Sequence, residues 1–184
     1  MGHFNFKPIL GIASLLTLGV FPGLAVDLGN GTTIFNKSPR LVKTITTSSG
    51  IRVKGAKYYF TIELGDDVGE PLEKLTLQQV QTIQIINFDL DETFAFEGEP
   101  NNRGKSLPIA RIKKNLDNGV ITLIFDYPIA SGTTFTVGLK PQQNPDSAGV
   151  YTFSLTAYPK GQKSLGLYLG LGRLHFSQQD NHFP

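Results

Sequence analysis

The feature that most constrains this chain is a two-residue rhythm of apolar side chains, repeated between turn signals. In 58–64, Tyr58, Phe60, Ile62 and Leu64 share one parity, and Tyr59, Thr61 and Glu63 the other. In 134–139, Phe135, Val137 and Leu139 oppose Thr134, Thr136 and Gly138. In 150–158, Tyr151, Phe153, Leu155 and Ala157 oppose Val150, Thr152, Ser154, Thr156 and Tyr158, and 120–126 places Ile121, Leu123 and Phe125 together. Successive side chains of a strand point to opposite faces, so each run reads as a half-buried strand. Asp117-Asn118-Gly119 predicts a tight primed turn joining 109–115 to 120–126, because Asn-Gly tolerates the positive φ such a turn needs. Ala130-Ser131-Gly132 and Gln142–Asp146 separate the later runs. Turn signals at this spacing predict an all-β, immunoglobulin-like antiparallel β-sandwich of about seven to nine strands. Phe60, Ile62, Leu123, Phe125, Phe135, Val137, Phe153 and Leu155 form its expected core.

Two stretches resist the simple rhythm. Residues 70–82 place Leu72, Leu75 and Val80 near helical spacing, while Leu75 and Leu77 suit a strand equally well. In 83–96 the apolar parity switches between Ile85 and Ile86, which predicts a bulge or a change of sheet.

Residues 1–25 have the three-part layout of a secretory signal peptide. Lys7 precedes an apolar run from Ile9 to Phe21, and Gly23 and Ala25 occupy the −3 and −1 positions for cleavage before Val26. The run is shorter than the ~20 residues that span a bilayer, and no later stretch is apolar enough, so no transmembrane segment is expected after cleavage. The expected residence is secreted or periplasmic. Residues 26–37 read as a loose N-terminal segment, 38–176 as the sandwich domain and 177–184 as a polar tail.

Composition closes several function classes. The chain has no Cys, which excludes thiolate metal sites, a Cys nucleophile and a disulfide scaffold. A formal charge of +2 over 184 residues gives no ground for nucleic-acid binding. The charges are nevertheless segregated. Residues 26–62 carry six Lys/Arg and one Asp, 63–99 carry Lys74 against ten acids, and 100–184 carry nine Lys/Arg and four Asp. Opposite charges are expected to meet across neighbouring strands.

A set of motifs carries a resemblance. They are AKYYFTIEL at 56–64 with Gly69-Glu70-Pro71-Leu72, FDLDETFAFEG at 88–98, PIASGTTFTVGLKPQQNP at 128–145, GVYTFSLTAYPKG at 149–161 and LGLYLGLGRLHF at 165–176. Together they resemble a cyanobacterial secreted family known as domain of unknown function 2808, over residues 38–176. The resemblance implies a secreted or periplasmic envelope protein and brings no catalytic residue with it.

The chemistry-bearing constellations are few. Asp89-x-Asp91-x-Thr93 after an apolar run looks like the first motif of the haloacid dehalogenase superfamily. There the first Asp is the nucleophile and the second the general acid/base of a Mg²⁺-dependent phosphohydrolase. This chain lacks the later acidic pair and the alternating strand–helix context. Asp89, Asp91, Glu92, Glu97 and Glu99 also form a weak extracellular calcium-binding candidate. The register is not that of an EF-hand, since the sixth position is Phe94 and the twelfth Pro100. Gly166, Gly170 and Gly172 lack the Gly-Lys-Ser/Thr of a phosphate loop and predict a bulge or close backbone approach. His175 and His182 are too few for a histidine site, and the six tyrosines suggest a sugar platform, against which stand the absence of Trp and the core or sheet-face duty expected of Tyr58 and Tyr151. The function expected is a non-catalytic binding or structural domain acting on an envelope or extracellular partner, with no catalytic residue and no required cofactor.

Overall fold

The computed structural model describes residues 31–81 and 84–178. The expected signal peptide, the cleavage site before Val26, Ile83 and His182 lie outside these residues. The described chain forms β1 (Thr32–Thr33), β2 (Arg40–Thr46), β3 (Tyr58–Glu63), β4 (Leu72–Gln81), β5 (Phe88–Glu99) and β6 (Asn102–Ser106). It continues with β7 (Ile109–Lys114), β8 (Ile121–Ile129), β9 (Thr134–Pro141), β10 (Gly149–Pro159), β11 (Lys163–Ser164) and β12 (Leu167–Phe176). Sheet I runs β2-β3-β9-β5-β6 and sheet II runs β12-β10-β4-β8-β7. Every neighbouring pair within these two sheets is antiparallel. β1 and β11 form a short parallel pair beside them. The fold is the expected all-β, immunoglobulin-like sandwich, with ten strands in its sheets rather than seven to nine.

The sheets close on the parities read from the sequence. Phe60, Ile62, Phe135 and Val137 of sheet I and Leu123, Phe125, Phe153 and Leu155 of sheet II are all buried. Phe60 meets Phe153 edge-on at 5.5 Å, and Phe125 meets Phe135 at 5.8 Å and 87°. T-shaped pairs place the positive edge of one ring against the negative face of the other.

Residues 70–82, open between helix and strand, include strand β4. The helix-like spacing from Leu72 to Leu75 comes from a register shift between Leu72 and Lys74, after which Leu75 and Leu77 alternate inward. The expected change of sheet is present, since the chain passes from β4 in sheet II to β5 in sheet I, but Ile85 is exposed and Ile86 buried, and the bulge lies further on, between Asp89 and Phe94.

The turn between β7 and β8 is wider than a primed two-residue turn. Only Gly119 has positive φ there, at 71°. Its N–H donates to the Asn115 carbonyl at 2.9 Å, and the side chains of Asn115 and Asn118 accept from Asp117 and Val120 N–H. The asparagine side chains stand in for backbone partners and support a longer loop.

The described parts of the two expected loose ends are tied down. Thr33 accepts from Leu165 N–H, Asn36 N–H donates to Val68 and Phe35 is buried in the core. Ser177 bridges Gly50 through hydrogen bonds with Ser49 and Ile51.

One buried polar knot closes an end of the sandwich. Tyr58 donates to Asn144 Oδ1 at 2.9 Å, and Asn144 Nδ2 donates to the Ser48 and Gly50 carbonyls at 3.0 and 2.7 Å. Burial, with a smaller contribution from Tyr151, pushes the Tyr58 phenol well above its ordinary value of 10.0. The unfolded chain ionises this phenol first, so its stabilising contribution is complete below pH ~10 and lost as pH rises above that. Tyr58→Phe is expected to flatten that alkaline loss, read from denaturant midpoints between pH 8 and 11.

The two glycines of β12 serve the two expected roles: Gly170, at φ 116°, sits at a register shift against β10, and Gly172 allows a close approach. A Cβ on Gly172 would lie 2.5 Å from Thr44 Oγ1 and 3.3 Å from the Phe60 ring. Gly172→Ala is expected to cost about 1–3 kcal/mol by overpacking. Adding Thr44→Ala removes the nearest obstacle and should recover part of the loss in the same denaturation assay.

Candidate functional site

The five acids of β5 do not converge. A shift of register between Asp89 and Phe94 bulges the intervening residues away from β9. Glu92 within the bulge, and Glu97 and Glu99 beyond it, are each paired with a lysine. Lys140 lies 3.5 Å from Glu92, Lys105 3.0 Å from Glu97 and Lys43 2.7 Å from Glu99. Asp91 is exposed. No group of three or more acids or histidines among the described residues is placed to hold a metal ion. Asp89 is the second residue of an antiparallel strand, facing Lys140 in the register, and not at the C-terminal end of a parallel strand where a phosphoryl-accepting Asp would sit.

The tyrosines disperse. Tyr58, Tyr59 and Tyr151 are buried, Tyr127 and Tyr168 are exposed, and Tyr158 lies under Lys74, whose Nζ is 3.8 Å from the ring centre. They do not form a single platform.

The outer face of sheet I is filled by its own side chains. Phe94 lies over Gly138, where a Cβ would stand 2.4 Å from the ring. The Arg103 guanidinium sits 4.7 Å from the Phe96 ring centre and donates to Tyr59 Oη at 2.7 Å. Arg40 pairs with Glu63, and Lys43, Lys105 and Lys140 with the β5 acids. The charge segregation of the sequence thus resolves largely as cross-strand pairs, with sheet I neutralising its cations except Arg103, which rests on aromatic rings.

Sheet II is different. Its register places outward residues in rows that cross the strands. One row runs Tyr168, Thr156, Thr76, Thr122 and Lys113. The next runs Tyr158, Lys74, Ile124 and Arg111. On the other side, Leu171, Ser154 and Gln78 form a row, followed by Arg173 beside Thr152 and His175 beside Val150. None of these rows contains a carboxylate. The two acids in these five strands border the rows at one end: Glu73 falls at the β4 register shift beside Lys74, and Asp126 is exposed two residues beyond Ile124 on β8. Among the described residues, Lys74, Arg111, Lys113 and Arg173 make no ion pair. The hydroxyls are lightly engaged, with Ser154 reaching the Gln78 carbonyl at 3.4 Å and Thr76 the Thr156 carbonyl at 3.5 Å. Such long contacts leave most of their hydrogen-bonding capacity open. The result is a pleated face of hydroxyls and amides carrying unpaired cations, able to bind an extended anionic partner and lacking any nucleophile–base pair.

Arg173 and His175 share a parity in the sequence, and so do Arg111 and Lys113 in Ile-Ala-Arg-Ile-Lys-Lys. That these pairs join one face depends on the order of strands, which parity does not give. A separate apolar cleft of about 280 Å³ opens at one end of the sandwich. Ile86, Phe88, Ile121, Leu139 and Phe153 line it, with Lys114 among its polar lining residues.

Comparison with known proteins adds the following. No curated protein matches the sequence. Among solved structures, the chain is similar to the collagen-binding subdomain of the Enterococcus faecalis surface protein ACE, at 9% identity and TM-score 0.43, over 72% of this chain and 94% of that one. It is similar to the C-terminal domain of the Streptococcus pyogenes antigen I/II-family protein AspA, at 13% identity and TM-score 0.43, over 73% and 46%. It is also similar to BslA, a bacterial hydrophobin, at 14% identity and TM-score 0.43, over 79% and 98%. A family model matches residues 32–176, spanning every strand described above, and the chain belongs to that family, described as "Protein of unknown function (DUF2808)".

Proposed function

We propose that this protein is a non-catalytic binding domain of the cell envelope or its exterior, and that the outer face of sheet II is its contact surface. The observation that carries this reading is the alignment of Arg111, Lys113, Lys74 and Arg173 with rows of hydroxyls and no carboxylate. An unpaired surface cation gains little from its own fold, so its electrostatic reach is directed outward. The pattern of residues 1–25 supports export, and N-terminal sequencing of material recovered outside the cytoplasm is expected to begin at Val26. An intact Met1 would overturn export by this route.

The test of the face is co-sedimentation with washed envelope from the native organism. The unmodified protein is expected to sediment, and Arg111→Glu/Lys113→Glu to remain in the supernatant. Equal sedimentation of the variant would overturn the assignment. Calcium is not part of the proposal, because three of the five candidate acids already have lysine partners. Millimolar Ca²⁺, with Mg²⁺ as control, is expected to leave the melting curve unchanged. A rise specific to Ca²⁺ would restore the β5 acids as a metal site.

A further inference from the structure

We infer that the ligand of the sheet II face is an acidic polysaccharide, a linear glycan of uronic-acid type. This inference rests on the assignment of that face as the contact surface. The chemistry of the rows selects it. A chain of acid sugars presents carboxylates separated by hydroxyls, and the face presents cations separated by hydroxyls and amides. Lys113 ends a row of three threonines, Thr156, Thr76 and Thr122, and on the opposite flank Arg173 pairs in register with the buried Thr152 and lies one register step from the row of Ser154. Threonine and serine hydroxyls both donate and accept, as sugar hydroxyls do, and a guanidinium grips a carboxylate with two parallel donors.

The spacing suits an extended ligand. Neighbouring strands lie about 4.8 Å apart, so β7 and β12 hold their cations roughly 19 Å from each other across the sheet. A compact anion could not reach both flanks, whereas a polymer crossing the face obliquely, from the Lys113 row to the Arg173 row, can. Tyr168, more than half exposed at the β12 edge of the threonine row, offers a ring face on which a sugar can stack.

Other polyanions fit less well. An anionic membrane is held by dense clusters of four to eight cations, and here four cations are spread over three strands with neutral hydroxyls between them. A single-stranded nucleic acid needs successive aromatic platforms, and Tyr168 is the one exposed tyrosine in these rows, with His175 on a separate row.

The test is affinity electrophoresis of the full mature chain through gels containing polygalacturonate, with dextran as the neutral polymer. Sedimentation with vesicles containing phosphatidylglycerol runs in parallel. Polygalacturonate is expected to retard the protein, less so as salt screens the charges, while dextran and vesicles bind weakly or not at all. Arg111→Gln/Lys113→Gln/Arg173→Gln is expected to weaken retention at least tenfold. Lys43→Gln/Lys105→Gln, on sheet I, is expected to retain it. A thermal melt of each variant checks that the fold persists, which is expected because none of the three sheet II cations has an ion-pair partner. Equal retardation by dextran, full retention by the triple variant, equal loss in the sheet I variant or binding to vesicles alone would each overturn the inference. Two failures are separable. If polygalacturonate is not bound while Arg111→Glu/Lys113→Glu still abolishes envelope binding, the ligand class falls and the face stands. If envelope binding survives that reversal, the face itself falls.

Discussion

Phe153→Ala is expected to destabilise the protein by about 3–5 kcal/mol, the usual range for truncating a buried aromatic ring. Phe153 sits on β10, inside sheet II, and its ring meets Phe60 at 5.5 Å, Phe88 at 6.2 Å and Tyr58 at 6.4 Å. It therefore joins the two sheets at their most aromatic layer. It also lines the apolar cleft at the end of the sandwich. Truncation would extend that cleft into the core, and the hydrogen-bonded sheets on either side limit how far the structure can collapse to fill it. The expected value therefore lies toward the upper end of the range. Phe153→Leu keeps most of the volume and should cost less than half as much. Denaturant midpoints at constant m-value provide the measurement. A loss below about 1 kcal/mol would show that the Phe153 site is not tightly packed. Against a total stability of about 5–15 kcal/mol for a domain, the Ala variant is expected to be marginal.

Asn144→Ala is the second large effect, at about 2–4 kcal/mol, and it arises from polarity rather than volume. The substitution removes three side-chain hydrogen bonds at a residue that is 1% exposed. The partners do not suffer equally. Ser48 retains a bond from Thr46 Oγ1 at 2.9 Å, but the Tyr58 hydroxyl and the Gly50 carbonyl lose their side-chain partner. A buried polar group left alone costs more than the bond was worth when made. Tyr58→Phe removes one of the orphans, so the double variant should be less destabilised than the sum of the singles. The coupling energy of that cycle is the check. Strict additivity would show that Tyr58 and Asn144 act independently and would overturn the account of the knot.

Much of the core was legible because alternation is local. Phe60 and Ile62, or Phe135 and Val137, need only their own strand to declare a face. β4 was ambiguous because its register shift between Leu72 and Lys74 places two inward leucines three residues apart, as a helix would. β6 carries no apolar residue, and β2 is broken by a register shift between Leu41 and Lys43, so neither offered a clear rhythm. The acidic stretch of β5 looked like a site because its neutralising partners, Lys43, Lys105 and Lys140, come from three other parts of the chain. The sheet II face was hidden for the same reason. Its cations sit on β4, β7 and β12, and only the order of strands in the sheet brings them onto one face.

The placement of β12 has a kinetic consequence. This last strand pairs with β10, while Gly172 lets it lie against Thr44 of β2, near the start of the described chain, and Ser177 is fastened to Ser49 and Ile51. The earliest and latest parts of the domain thus complete the same layer of packing. Contacts of such long sequence separation require large loops to close before they return any stabilisation, so folding is expected on the millisecond-to-second scale. During synthesis the domain cannot finish until residue 177 is free of the ribosome.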